Sequence, residues 1–89
     1  MKRSIIHIYG KVQMVGFRYS TLRKAEELGL TGYVQNLRDG SVEVEVQGSK
    51  DSIDEFIEWA NSGPSMAEVS KLIVGEKEMK DSEDNFEIL

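Results

Sequence analysis

The nine residues from Gly10 to Arg18 read Gly-Lys-Val-Gln-Met-Val-Gly-Phe-Arg, and their types could do chemistry together. An apolar, β-branched run (Ile5, Ile6, Ile8) leads into them, and a helix-forming run from Leu22 to Leu28 leads out. A strand-to-helix loop leaves backbone N–H groups unpaired at the start of the helix, where the helix dipole also favours negative charge. Arg18 closes the loop, and a guanidinium presents a rigid fork of donors that suits phosphate oxygens. The chemistry on offer is anion capture. A strand–helix joint with one arginine is also a common plain connection, so spacing alone leaves both readings open.

The rest of the composition removes competitors. There is no cysteine, which excludes disulfides, thiolate nucleophiles and cysteine metal sites, and the single histidine excludes a histidine-rich metal site. His7 falls with Ile5 and Tyr9 on the strand face opposite Ile6 and Ile8, where a half-exposed strand histidine is the expectation. With 11 basic against 16 acidic residues the net charge is −5, and the acids gather in the second half, from Glu43 to Glu58 and from Glu76 to Glu87. Such a surface repels nucleic acid, and no nucleic-acid partner is expected. It repels anionic substrates too. A phosphate site must therefore be a local positive spot, and Lys11, Arg18, Arg23 and Lys24 surround the opening stretch.

At 89 residues, 39% hydrophobic and 30% charged, the chain has the length and balance of one globular domain, 1–89, with a single core. No apolar segment is long enough to span a bilayer, so a soluble, cytoplasmic protein without a membrane partner is expected. No obvious apolar patch points to self-association, and a monomer is the expectation.

Elements must position the loop. Ser4 to Val12 alternates as a strand, with Ile6, Ile8, Gly10 and Val12 on one face. The spacing predicts a first helix from Phe17 or Ser20 to Leu28, stopped by Gly29 and buried through Leu22, Ala25 and Leu28. Thr31 to Leu37 is a second strand, Arg38-Asp39-Gly40 a hairpin turn, and Ser41 to Gln47 a third strand. In that third strand Val42, Val44 and Val46 face inward, Glu43, Glu45 and Gln47 outward, and Gly48 breaks it. Ser49 to Ser52 supplies a cap for a second helix, on which Ile53, Phe56, Ile57 and Ala60 complete an apolar face, bordered by Trp59 and ended before Pro64. Val69 to Val74 is a fourth strand, Glu76 to Asp84 a solvated strand end and turn, and Asn85 to Leu89 a short fifth strand.

That order, βαββαβ plus a short C-terminal strand, predicts an α+β, ferredoxin-like split βαβ sandwich with two helices on one face of a mixed, mainly antiparallel sheet. The topology has a consequence for chemistry. The first two strands run parallel with the third between them, so their C-terminal ends share one edge of the sheet. The loop leaves from that edge, and Asn36 ends the second strand there, with the parity of Gly32 and Val34. Arg18 and Asn36 can thus face one pocket, although an asparagine beside a turn is common in its own right.

These residues resemble the acylphosphatase family. Gly10, Val12, Gln13, Val15, Phe17 and Arg18 match its first signature. Gly32, Tyr33, Val34, Asn36, Gly40 and Val42 match its second, with Gly48 also in place. The likeness continues through Phe56, Trp59, Gly63-Pro64 and Asn85-Phe86-Glu87-Ile88, and so covers essentially the whole chain. The resemblance implies hydrolysis of the carboxyl–phosphate bond of small acyl phosphates, without metal or cofactor and with the acyl part largely unspecified. By position it implies that Arg18 and the amides of Gln13, Met14, Val15, Gly16, Phe17 and Arg18 bind the phosphoryl group, and that Asn36 positions the attacking water. An acyl phosphate has a good leaving group, so positioning and charge stabilisation would suffice.

Two departures from the pattern stand out. Met14 occupies a position where the family has glycine, which can adopt positive φ or let a ligand approach the backbone closely. Family members often carry Arg-Tyr beyond the Phe-x-Ile segment, whereas Leu89 comes last here, which implies altered support for the arginine. The Met14 departure keeps open an alternative, a non-catalytic phosphate-binding module of the same fold. A third reading, an RNA-recognition module, is opposed by the Glu43, Glu45 and Gln47 row, where stacking aromatics and cations would be needed.

Overall fold

Residues 1–89 are all described by the computed structural model. Alternation of apolar and polar residues over Lys2–Lys11 makes strand β1, and a register shift between Tyr9 and Gly10 bends its end. Gly10, at φ +127°, lies so close to the Glu68 carbonyl that no side chain fits there. The chain then enters helix α1 (Phe17–Glu27) through Gly16 at φ +75°, and Gly29 at φ +70° ends that helix as expected. Strands β2 (Thr31–Asn36) and β3 (Val42–Gly48) form the hairpin, and β3 ends with Gly48 as its last residue. Helix α2 (Lys50–Ala60) is capped by Ser49, whose hydroxyl accepts the Ser52 N–H. Strand β4 (Glu68–Lys77) is longer than its apolar run, and β5 (Phe86–Ile88) closes the chain.

The sheet order is β4-β1-β3-β2-β5. Strands β1 and β2 both run antiparallel to β3 and therefore parallel to one another, while β5 runs parallel to β2. Helix α1 lies over β2 and β5, and α2 over β1 and β3. Ile6 and Ile8 of β1, Val34 of β2 and Val42, Val44 and Val46 of β3 meet Ile53, Phe56 and Ala60 of α2 in one fully buried cluster. Burial of each large side chain contributes about 1.5–3 kcal/mol. Trp59 bridges the helices, its ring 5.7 Å from Phe17 and 5.6 Å from Phe56. This is the ferredoxin-like α+β sandwich.

Two expectations need correction. Helix α1 buries Phe17, Thr21 and Ala25, while Leu22 and Leu28 pack only partly against the core. Phe17, at the start of that 17-21-25 row, packs against Trp59 of α2. The outer sheet face is not a solvated surface either: Glu45 and Gln47 point outward yet are 5% and 8% exposed. Arg3, fully buried, donates to Glu45 at 2.7 Å, to Gln47 at 3.1 Å and with both terminal nitrogens to Glu83 at 2.7 and 3.2 Å. Gln47 also exchanges hydrogen bonds with the backbone of Lys80. The 76–84 stretch is an exposed strand end and turn, as expected, but through Glu83 and the Lys80 backbone it is also tied to that face before the chain reaches β5.

Candidate active site

Helix α1 starts without a protein cap. Gly16 offers no side chain, and the first turn carries no acidic residue. None of the N–H groups from Gln13 to Tyr19 donates to a backbone acceptor, because four N–H groups at any helix start lack an intrahelical partner and the loop before them makes no turn bonds. The positive end of the helix dipole lies at this same helix start. Arg18, in the first turn, is exposed and makes no ion pair or hydrogen bond within the protein.

Asn36 arrives from the other side. It is the last residue of β2, and its pairing with Val42 puts it on the helix-packed face. Its Oδ1 is buried and has no hydrogen-bond partner. Buried carboxamide oxygens nearly always accept a hydrogen bond, so this one is suited to a donor on a bound molecule. Arg18 and Asn36 line the same cavity, of about 240 Å³. Val12, Gly16 and Phe17 complete its floor, and Met14, Tyr19 and Ile88 stand at its rim.

Of the expected loop residues, Met14, Gly16, Phe17 and Arg18 border this cavity, whereas the side chains of Gln13 and Val15 do not. Gln13 instead donates to the carbonyls of Leu37 at 2.7 Å and Ser41 at 2.9 Å, and Val15 packs partly against the core. Met14 takes φ +63°, the left-handed conformation for which glycine is suited. Ile88 and Tyr19 escaped the sequence reading. Ile88 reaches the site because β5 lies beside β2, a pairing that a three-residue strand does not announce, and Leu89 N–H fixes it on the Val34 carbonyl at 2.9 Å. His7 lies on the outer face, 2.9 Å from Glu43, and takes no part in the cavity.

The acylphosphatase family model matches residues 4–88. The chain belongs to the acylphosphatase family. A relative from Aliivibrio fischeri, named acylphosphatase, is 52% identical over 71 residues, 80% of this chain and 79% of its own length. One of the same name from Acaryochloris marina is 51% identical over 82 residues, 92% of this chain and 87% of its own. The crystal structure of acylphosphatase from Bacillus subtilis superposes with a TM-score of 0.95 at 31% identity, covering 100% of this chain and 99% of that one. Nothing in these acylphosphatase relationships or in the fold favours the non-catalytic alternative.

Proposed function

We propose that Arg18 and the free amides between Gln13 and Arg18 hold the phosphoryl group, and that Asn36 orients water, in the acylphosphatase reaction: hydrolysis of a small acyl phosphate to carboxylate and inorganic phosphate. The observation that carries this reading is that Asn36, whose buried Oδ1 has no hydrogen-bond partner, lines the same cavity as Arg18 and the uncapped helix start.

The division of labour follows from the donors. Amide N–H groups and the guanidinium fork surround the phosphoryl oxygens, on which charge is spread as the bond to the leaving group loosens. Asn36 Oδ1 accepts a hydrogen bond from water and so turns the water oxygen toward phosphorus. A phosphorus–oxygen bond to water forms, the bond to the acyl oxygen breaks, its electron pair leaves on a carboxylate, and both protons of the water stay on the inorganic phosphate, released as H2PO4−. That carboxylate is a weak base and needs no proton from the protein. The cavity lining includes no histidine, carboxylate or lysine, which agrees with a mechanism of positioning rather than general base catalysis.

A cytoplasmic monomer, one domain spanning 1–89 and acting on a small-molecule substrate without metal or cofactor, is the form we propose. The test is acyl phosphate turnover without added metal. Arg18→Ala and Asn36→Ala should each lower kcat/KM by about 10²-fold or more. Arg18→Ala should also lose inorganic phosphate binding, which Asn36→Ala should keep. Turnover undiminished in both variants refutes the assignment.

A further inference from the structure

The cavity has lining of two kinds. Its floor sets Arg18 and Asn36 beside the buried apolar side chains of Val12 and Phe17. Its rim carries no charged group. Met14, Tyr19 and Ile88 come from the loop, α1 and β5, border the same cavity, and stand open to water at 100%, 59% and 41% exposure. No acidic residue lines the cavity, and Arg18 is its sole charged residue.

Met14 is the most informative of the three. Its backbone holds a left-handed conformation, unfavourable for a residue with a side chain, at φ +63°. Its side chain is fully exposed and packs against nothing that would offset this. Neither backbone nor burial explains a methionine there, and its flexible thioether at the edge of the cavity can adapt to apolar groups of varied shape. Tyr19 is held in place. Arg23 Nη1 lies 3.2 Å from its hydroxyl oxygen, to which it donates, and the guanidinium carbon stands 5.9 Å from the ring centroid.

We propose that Met14, Tyr19 and Ile88 form an acyl subsite that selects acyl phosphates with an apolar chain or ring over acetyl phosphate. The inference rests on the floor being the phosphoryl cradle. A single oxygen separates the acyl carbon from phosphorus, so with the phosphoryl group on the floor the acyl chain leaves through the mouth and crosses the rim. An apolar chain lying there removes from water both its own surface and that of the three side chains. The acyl part, which the sequence left unspecified, thereby acquires a preference.

A straight-chain series from acetyl to hexanoyl phosphate tests this, because the leaving carboxylates are nearly equally good and differences in kcat/KM report the chain. The wild-type protein should favour hexanoyl over acetyl phosphate by about tenfold, as expected for four methylenes half-withdrawn from water. Tyr19→Gln and Ile88→Thr keep the helix and strand preferences of their elements, and each should cut that ratio by about threefold. A flat wild-type series, or a ratio unchanged in both variants, overturns the subsite and leaves the reaction standing. Absence of turnover across the entire series overturns the reaction and the subsite together.

Discussion

The Gln13 carboxamide nitrogen donates to the Leu37 carbonyl at 2.7 Å, one residue past Asn36. A second bond from the same nitrogen reaches the Ser41 carbonyl at 2.9 Å. The loop that presents the amides is thus tied to the strand end that presents Asn36. In Gln13→Ala both carbonyls keep another donor, Gly40 N–H on Leu37 and Leu37 N–H on Ser41. Stability should fall by only about 1 kcal/mol. The alignment of Asn36 with the cradle should suffer more, lowering kcat about tenfold with little change in KM. Steady-state kinetics beside denaturant unfolding checks this, and an unaltered kcat would show that the tie does not position the site.

Met14 sets a backbone test. Met14→Gly removes the left-handed penalty but frees the unfolded chain, so stability should stay within about 1 kcal/mol of wild type. Met14→Val places a β-branched side chain at φ +63° and should cost a further 1–2 kcal/mol or so. Inorganic phosphate should bind Met14→Gly at least as tightly as wild type, because the amide it meets is unstrained. Weaker binding, read by calorimetry, would mean that the methionine supports the cradle.

Arg3 lies far from the cavity and holds the outer face together. Its side chain is fully buried, with Glu45 and Glu83 as ion-pair partners at 2.7 Å each. Arg3→Ala leaves two largely buried carboxylates without their cation, and the expected loss is about 3–5 kcal/mol, a large part of a small domain's stability. Arg3→Lys retains charge but not the fork and should fall between. Urea unfolding of the three proteins decides it; a loss below about 1 kcal/mol in Arg3→Ala would show that the network is incidental.

The same network predicts a response to acid. Burial alone would push Glu45, Glu83 and Glu43 up, but hydrogen bonds outweigh it and hold all three below the ordinary glutamate value of 4.5. The donors are Arg3 and Tyr33 for Glu45, Arg3 and Thr31 for Glu83, and His7, Gln35 and Tyr33 for Glu43. A carboxylate whose folded pKa is depressed stabilises the fold above its unfolded pKa and loses that contribution as pH falls through its folded value. The urea midpoint should therefore decline below about pH 4.5, and Arg3→Ala should flatten the decline. A midpoint constant down to pH 3 or so would contradict the shifts.

The order of elements could be read from the chain because its determinants are local. The period-2 alternation of Ser41–Gln47, the apolar face from Ile53 to Ala60, the Asp39-Gly40 turn and the Gly29 stop each act within a few residues. The pairing of Arg18 with Asn36 at one edge followed from that order, since two parallel strands separated by an antiparallel one must end together. Other relationships depend on residues far apart in sequence, and only the folded chain decided them. Arg3 finds Glu83 across the outer face, and Ile88 reaches the cavity beside Asn36. Charge on an outward position reads as solvation until a strap covers it, because burial is a property of the neighbours and not of the residue. For the same reason the sequence could bring Arg18 and Asn36 to one cavity, but it could not place Tyr19 and Ile88 beside them, because that rim is assembled from a loop, a helix and the last strand.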